Sequence, residues 1–164
     1  GEVGRAVAAA MADRYAAKHV ALETHIGGSI TLWADRQRLG QVLGNLLDNA
    51  LRHTPSGGHV ALSAAPAGDE VVFTIVDDGD GIAAEHLPHV FERFDRADAA
   101  RERGRGGSGI GLAIVKALTE AHGGHVGVAS HGPGTGTTFT VAVPVLPSAA
   151  GRDNGQRETS PASA

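Results

Sequence analysis

The sequence predicts an α/β (α+β) fold, a two-layer sandwich in which about three helices cover one face of a mixed β-sheet. The first observation is that three segments with helical spacing of apolar residues alternate with strand-like segments. The second is that 164 residues, 41% of them hydrophobic, suffice for one domain with a substantial core. The third is that only 4% of the residues are aromatic, so the core must consist of Val, Leu, Ile and Ala.

The first half of the chain contains two predicted helices with a β pair between them. Residues 2–18 have apolar positions at helical spacing and are predicted to form a helix. Residues 20–24 and 29–33 are β-like, and we expect them to form a short β pair. The second helix spans about 35–53, with Asp35 as its N-cap and a leucine-rich stripe along one face.

The second half contains four predicted strands, a long loop and a third helix. The strand at 70–77 is hydrophobic from residue 71 to residue 76, so we expect it to be central and buried on both faces. About 30 residues between Gly79 and Gly109 contain no long regular element, and loops of that length are usually functional or mobile. The remaining elements are strands at 59–65, 125–130 and 137–143 and a helix over 110–122.

Composition excludes several classes of protein. The net charge of −4 argues against a general nucleic-acid binder. The absence of cysteine excludes a disulfide scaffold and a thiolate zinc site, and it fits a reducing compartment. No signal peptide is visible, and no apolar run approaches the roughly 20 residues that cross a bilayer. Because the chain begins with Gly1, we expect a piece of a longer protein, with a domain at 1–146 and a disordered tail at 147–164.

Two asparagines stand out on the second predicted helix. Asn45 and Asn49 are four residues apart and share one helix face, which Gln41 and Arg52 extend. Asparagine is a poor helix former, and its amide oxygen suits Mg²⁺ that is held mainly by phosphates and water. Arg52 can reach a phosphate. An ordinary solvated polar face would give the same pattern, and the helix alone does not decide between the two interpretations.

A carboxylate closes the most hydrophobic strand. Asp77 follows that strand and enters a turn that contains Gly79 and Gly81. At the edge of a crevice, such a carboxylate can accept a hydrogen bond from the exocyclic amine of a base. The alternative is an aspartate that caps the amides of its own turn, which is common.

A glycine-rich turn precedes the third predicted helix. Gly107, Gly109 and Gly111 alternate before the helix, where backbone N–H groups can hold phosphates. A Walker A loop would end in Gly-Lys-Ser/Thr, which is missing. A Rossmann fingerprint would place a third glycine where Ile114 stands and would follow a strand directly. The turn is therefore a phosphate-binding candidate of another kind.

The order and spacing of these motifs resemble the ATP-binding catalytic domain of sensor histidine kinases, in the superfamily (Bergerat fold) shared with gyrase, Hsp90 and MutL. The resemblance runs from about residue 3 to residue 144, and five segments carry it in the family's order. They are Asn45-Leu-Leu-Asp-Asn-Ala-Leu-Arg-His-Thr-Pro55 (N box), Asp77-Asp-Gly-Asp-Gly-Ile82 (G1 box), Phe91-Glu-Arg-Phe94 (F box), Gly107-Ser-Gly-Ile-Gly-Leu112 (G2 box) and the final Gly134-Thr-Gly-Thr-Thr-Phe139.

The resemblance implies a site for ATP and Mg²⁺ under a lid formed by residues 82–108. Asn49 is expected to ligate Mg²⁺ and Asp77 to bind the adenine amino group. The catalytic positions that it implies are Asn45, near the phosphates, and Arg96, which would approach the γ-phosphate from the lid. The nucleotide-binding positions that it implies are Asn45, Asn49, Arg52, His53, Asp77, Gly79, Gly81, Gly109, Gly111, Leu112 and Thr137.

Three acidic residues depart from the family's pattern. Asp78 and Asp80 stand where the family more often has uncharged residues, and we expect their charge to weaken the binding of an anionic nucleotide. Asp95 stands beside Arg96 and would restrain it.

The resemblance also implies partners. The γ-phosphate would pass to a histidine on a phosphoacceptor and dimerisation domain, and a response regulator would act downstream. In the family that histidine is followed by an acidic residue, and none of the nine histidines here is, so we expect the acceptor upstream or on another polypeptide. The isolated domain is expected to be monomeric, cytoplasmic and without a nucleic-acid partner, while the parent protein could be anchored in the inner membrane.

Two alternatives stay open beside the kinase interpretation. One is a non-catalytic nucleotide-binding regulatory module or a split-kinase subunit. The other is a hydrolysing ATPase of the same superfamily. In the hydrolysing members a glutamate acts as general base at the position of Asn45, so this residue favours the histidine-kinase branch.

Overall fold

The computed structural model of the chain describes residues 1–27, 32–92 and 110–145. The predicted α/β (α+β) class is confirmed. The elements in chain order are α1 (Glu2–Ala17), β1 (Ala21–Ile26), α2 (Arg36–His53), β2 (His59–Ala67), β3 (Glu70–Asp77), a 3-10 helix (Leu87–His89), α3 (Gly111–Ala121), β4 (His125–Ala129) and β5 (Thr137–Pro144). The predicted tail at 147–164 and residues 93–108 of the predicted lid lie outside the described residues.

The described strands form a mixed sheet in the order β1-β2-β3-β5-β4. β1 runs parallel to β2, with Ala21 opposite His59, and the other neighbouring strands are antiparallel. A parallel pair needs a long crossover connection, and α2 supplies it between β1 and β2. α2 packs against both α1 and α3, so it is the central helix of the layer.

The core lies between the helices and one face of the sheet. The Asp35 carboxylate accepts the Arg38 N–H at 3.0 Å, as expected of an N-cap, and it fixes the start of α2. One face of α2 is then buried along its whole length. The buried apolar residues include Leu39, Val42, Leu43, Leu46, Leu47, Ala50 and Leu51 on α2 and Val60, Leu62, Ala64, Val71, Phe73, Ile75, Phe139, Val141 and Val143 on the strands.

β3 is the central strand, as predicted, but the prediction that both its faces are buried is wrong. Val71, Phe73 and Ile75 are buried against the helices, whereas Val76 on the other face is 44% exposed. The described helices cover one face of the sheet only. The apolar residues on the other face reflect the preference of β-branched side chains for strands rather than burial.

The predicted β pair between 20–24 and 29–33 lies partly outside the described residues, so this pairing stays a prediction. The first segment forms β1, but its hydrogen-bonded neighbour is β2, which offers six residues in register. Residues 28–31 lie outside the described residues, and Leu32 and Trp33 belong to no strand. The Trp33 N–H instead donates to the carbonyl of Val145 at 3.1 Å, and its indole is 76% exposed.

Among the described helices, none combines the length and the apolar character that crossing a membrane requires.

Candidate functional site

Asp77 lies at the end of the central strand, on the face of the sheet that the helices cover. It stands opposite Val60 on β2 and Thr137 on β5, and only 5% of it is exposed. Its Oδ1 accepts the N–H of Gly79 at 3.0 Å. Burial raises the pKa of the Asp77 carboxyl above its ordinary value, and the N–H groups of Gly79 and Thr137 offset part of this rise. The carboxylate is therefore a buried acceptor held in a fixed direction.

Two glycine-rich turns interlock beside Asp77. The N–H of Gly134 donates to the carbonyl of Asp80 at 2.6 Å, and the N–H of Gly136 donates to the carbonyl of Gly79 at 3.1 Å. A Cβ added at Gly136 would lie 2.0 Å from the Asp77 carbonyl oxygen, and one at Gly81 would lie 2.1 Å from the Gly132 carbonyl oxygen. A side chain cannot fit at either position, so the contact between these two turns explains the glycines by itself.

The carboxyl end of α2 is joined to the same turn. A Cβ at Gly79 would lie 2.3 Å from the carbonyl oxygen of His53, and that oxygen accepts the Asp80 N–H at 3.0 Å. The His53 ring Nδ1 lies 3.4 Å from the Asp80 Oδ2, so an ion pair forms here when the histidine is protonated. The end of α2 and the end of β3 thus form one rigid corner around Asp77.

α2 and α3 meet where the predicted N box adjoins the predicted G2 box. The side-chain amide of Asn45 donates to the carbonyl of Gly111 at 3.4 Å, and both Asn45 and Asn49 are half-buried. α3 begins after Ile110 with no side-chain hydrogen bond at its N-cap, so its first N–H groups are not capped in that way. Leu112, in the first turn of α3, packs against the core.

These contacts place the predicted residues in two neighbouring groups. One group is distributed over α2, the end of β3 with its following turn, the start of α3 and the start of β5: Asn45, Asn49, Asp77, Gly79, Gly81, Gly111, Leu112 and Thr137. The other group lies on a cavity of about 720 Å³ at the carboxyl ends of α1 and α2: Arg14, Ala17, Lys18, Asp48, Leu51, Arg52, His53, Thr54, Pro55 and Asp80. Arg52 and His53 are the predicted nucleotide-binding residues that line this cavity. Gly109 and Arg96 lie outside the described residues.

Arg52 is directed toward α1 by an acidic neighbour. Its guanidinium lies 2.9 Å from the Asp48 Oδ2, one helical turn earlier, and Arg14 of α1 contacts the other oxygen of Asp48. Lys18 donates to the carbonyl oxygens of Leu51 and Arg52. Asp48, Arg14 and Lys18 are not among the residues predicted from the sequence to form the site. The i, i+4 spacing of Asp48 and Arg52 could have indicated their pair, whereas the contacts from α1 carry no local signal.

Two of the acidic residues that depart from the family's pattern have partners in the structure. The Asp78 Oδ1 accepts the His59 N–H at 2.8 Å and is thereby turned toward the start of β2. Asp80 faces His53, as described above. Asp95 lies outside the described residues.

The Thr54 hydroxyl is fully buried and has no hydrogen-bond partner among the described residues, and it lies at the end of α2 beside the corner around Asp77.

The donor set suits a nucleotide with a hard cation. No group of three His, Asp or Glu residues in the described part of the chain could hold a metal ion alone. Neutral amide oxygens instead suit Mg²⁺, which keeps water and phosphate ligands. The residues present therefore fit a cation that arrives with phosphates.

Comparisons with known proteins agree on one family. Residues 34–147 match the family described as histidine kinase-, DNA gyrase B-, and HSP90-like ATPases. The signal transduction histidine-protein kinase BaeS of Escherichia coli is 40% identical over 136 residues, which are 83% of this chain and 29% of BaeS. The sensor protein SrrB of Staphylococcus aureus is 46% identical over 114 residues, which are 69% of this chain and 19% of SrrB. The chain thus spans less than a third of the length of these curated relatives.

Solved structures show the same similarity. The mycobacterial sensor histidine kinase MprB has a TM-score of 0.74 at 30% identity, over 89% of this chain and 94% of that one. Full-length ShkA in complex with AMPPNP has a TM-score of 0.76 at 33% identity, over 87% of this chain and 29% of that one.

Proposed function

Because this chain belongs to the family of histidine kinase-, DNA gyrase B-, and HSP90-like ATPases, we propose that it is the catalytic domain of a sensor histidine kinase. In this proposal it binds Mg-ATP and transfers the γ-phosphoryl group to a histidine on a separate phosphoacceptor domain, with a response regulator downstream. The observation that carries the proposal is Asp77, a buried carboxylate held at the end of β3 by the Gly79 N–H, with the half-buried Asn45 and Asn49 on α2, which packs against β3. Residues 1–146 would form this domain.

Binding would use the two groups of residues described above. Asp77 accepts a hydrogen bond from the amino group of adenine, with Thr137 and the G1 turn of Gly79 and Gly81 around it. Asn49 would ligate Mg²⁺, whose charge neutralises the phosphates. Asn45, Gly109, Gly111 and Leu112 would lie on the phosphate side, with Arg52 reaching the phosphates and His53 lying along the nucleotide. Arg96 would approach the γ-phosphate from the lid at 82–108.

Phosphoryl transfer depends on positioning and charge neutralisation, so no residue of this chain needs to form a covalent bond to the substrate. A nitrogen of the acceptor imidazole forms a bond to the γ-phosphorus while the bond from that phosphorus to the β,γ-bridging oxygen breaks. ADP leaves, and the N–H proton on the second ring nitrogen passes to water. Asn45 stands at the position where the hydrolysing members have their general base, and its amide holds the Gly111 carbonyl instead. Because an amide cannot act as a general base toward water, Asn45 supports transfer over hydrolysis.

The proposal is tested by calorimetric titration of the purified chain with a non-hydrolysable ATP analogue, with and without Mg²⁺. We expect magnesium-dependent binding that Asp77→Asn and Asn49→Asp abolish while the fold is kept. Asp69→Asn, the same chemical change at an exposed turn, serves as the matched control and should bind like the parent. Binding by both site variants like the parent would show that the site is assigned wrongly.

A second measurement separates the kinase from its alternatives. Label from γ-labelled ATP should move to an added domain that bears a histidine followed by an acidic residue, and the isolated chain should release little phosphate by itself. Steady phosphate release without an acceptor would favour a hydrolysing ATPase. Binding without transfer to any acceptor, or no binding at millimolar nucleotide, would favour a non-catalytic module.

A further inference from the structure

The last turns of α1 are hydrogen-bonded to the carboxyl half of α2. The Tyr15 hydroxyl donates to the carbonyl of Leu47 at 2.7 Å, and the Lys18 Nζ donates to the carbonyl of Leu51 at 2.6 Å and to that of Arg52 at 3.0 Å. Arg14 of the same helix contacts Asp48. The position of α1 therefore fixes the segment of α2 that carries Arg52.

Asp48 divides its two oxygens between two arginines. Its Oδ1 lies 2.5 Å from a guanidinium nitrogen of Arg14, and its Oδ2 lies 2.9 Å from one of Arg52. The side chains of Arg52 and Asp48 are 23% and 31% exposed, whereas that of Arg14 is 58% exposed. Asp48 thus joins α1 to the residue that, in the proposed function, contacts phosphate.

Arg52 cannot hold Asp48 and contact nucleotide phosphates with the same guanidinium nitrogens at the same time. Arg52 lines the cavity next to α1 together with Arg14, Lys18 and Asp48, whereas Asn45 and Asn49 lie outside that cavity. A guanidinium that turns toward phosphates gives up the Asp48 oxygen that it holds. Arg14 then keeps the other oxygen, so Asp48 is not left without a cation.

We propose that Asp48 is a positioning residue that withholds Arg52 from the nucleotide phosphates, and that Arg14, from α1, weakens this hold by sharing the carboxylate. The inference rests on the proposed function, since it needs Arg52 at the phosphates. Because coupling between sites is reciprocal, a displacement of α1 that separates Arg14 from Asp48 lowers nucleotide affinity, and bound nucleotide strengthens the Arg14–Asp48 pair.

The test compares two ligands that differ in phosphate. The affinities for a non-hydrolysable ATP analogue and for adenosine are measured by calorimetry or by competition, in low salt. Because partly exposed ion pairs are weak, we expect Asp48→Asn to bind the ATP analogue about fivefold more tightly and Arg14→Ala to bind it about threefold more weakly. Adenosine affinity should not change in either variant, and both differences should shrink in high salt.

The controls separate positioning from a general structural effect. Asp13→Asn alters an exposed carboxylate on α1 and should bind both ligands like the parent. The double variant of Arg14→Ala and Asp48→Asn should match Asp48→Asn alone, because Arg14 acts through Asp48. Equal changes for both ligands, or additive effects in the double variant, would overturn the inference.

The failure of this inference is distinguishable from that of the proposed function. If the parent binds the ATP analogue with Mg²⁺ and the Asp48 and Arg14 variants bind it equally well, the inference is wrong and the proposed function stands. If the parent binds neither ligand, both are wrong.

Discussion

The Asp77 carboxylate shows how one residue joins a strand to the turn that follows it. It is almost fully buried, yet it has two backbone N–H groups as partners, so its position does not depend on a bound molecule. The sequence predicted its place at the end of a hydrophobic strand. The two alternatives that the sequence left open, a turn cap and a base-binding group, are compatible in the structure, because one oxygen caps the Gly79 N–H.

We expect Asp77→Asn to keep the fold and to change how stability depends on pH. Because burial raises the pKa of this carboxyl in the folded protein, its stabilising contribution is present below the ordinary pKa of aspartate and is lost as the pH rises through the raised value. Because asparagine does not titrate, the Asp77→Asn variant does not lose stability in this way as the pH rises. Its free energy of unfolding relative to the parent should therefore be higher at neutral pH than at about pH 4.

Urea denaturation of parent and variant at both pH values measures this difference. A variant whose relative stability falls on going from acid to neutral pH would show that the hydrogen bonds to the carboxylate outweigh its desolvation.

At the scale of the element, the turn after β3 depends on close backbone contacts. Gly81 has a φ of 65°, and a Cβ there would meet the Gly132 carbonyl oxygen. Gly68, in the turn between β2 and β3, has a φ of 63°, but nothing lies within 4 Å of its added Cβ. The two glycines therefore have nearly the same φ and differ in their surroundings.

We expect Gly81→Ala to destabilise the domain far more than Gly68→Ala. The Gly68 variant should lose about 1 kcal/mol, because only the left-handed conformation is penalised. The Gly81 variant adds a clash with backbone and should lose about 3 kcal/mol or more. Thermal or chemical denaturation gives both values, and equal losses would mean that the turn at Gly132 moves aside freely.

The elements also show where sequence reasoning succeeds. α2 was predicted nearly to the residue, because its N-cap, its apolar stripe and the Pro and Gly after it are all local signals. The pairing of β1 with β2 was not predicted, because β2 lies beyond an 18-residue helix and pairing over that distance leaves no local pattern. The cavity between α1 and α2 escaped prediction for the same reason, as its charged residues come from two helices.

At the scale of the whole molecule, a single core joins every described layer. Leu46 of α2 is fully buried within a cluster that also includes residues of α1 and of the strands. Small domains with one core usually unfold as a unit. The predicted site residues at the ends of α2 and β3 adjoin this core, so their geometry depends on the packing of the whole domain.

We expect Leu46→Ala to lower the free energy of unfolding by about 2–5 kcal/mol, because it leaves a cavity that the packed layers cannot close. Val76→Ala, an apolar truncation on the open face of the sheet, is the control and should lose less than about 1 kcal/mol. Circular dichroism and hydrogen exchange should report the same transition. Separate transitions for helices and sheet would contradict a single cooperative core.

The exposed indole of Trp33 has a practical consequence, since the chain contains one tryptophan. Trp33 stands just before α2, and His53 ends that helix, which at 18 residues is about 27 Å long. The intrinsic fluorophore is therefore far from the corner that holds Asp77, and its emission in the folded state should already be that of an indole in water. A change in its emission when nucleotide is added would signal a movement transmitted along α2 to its amino end.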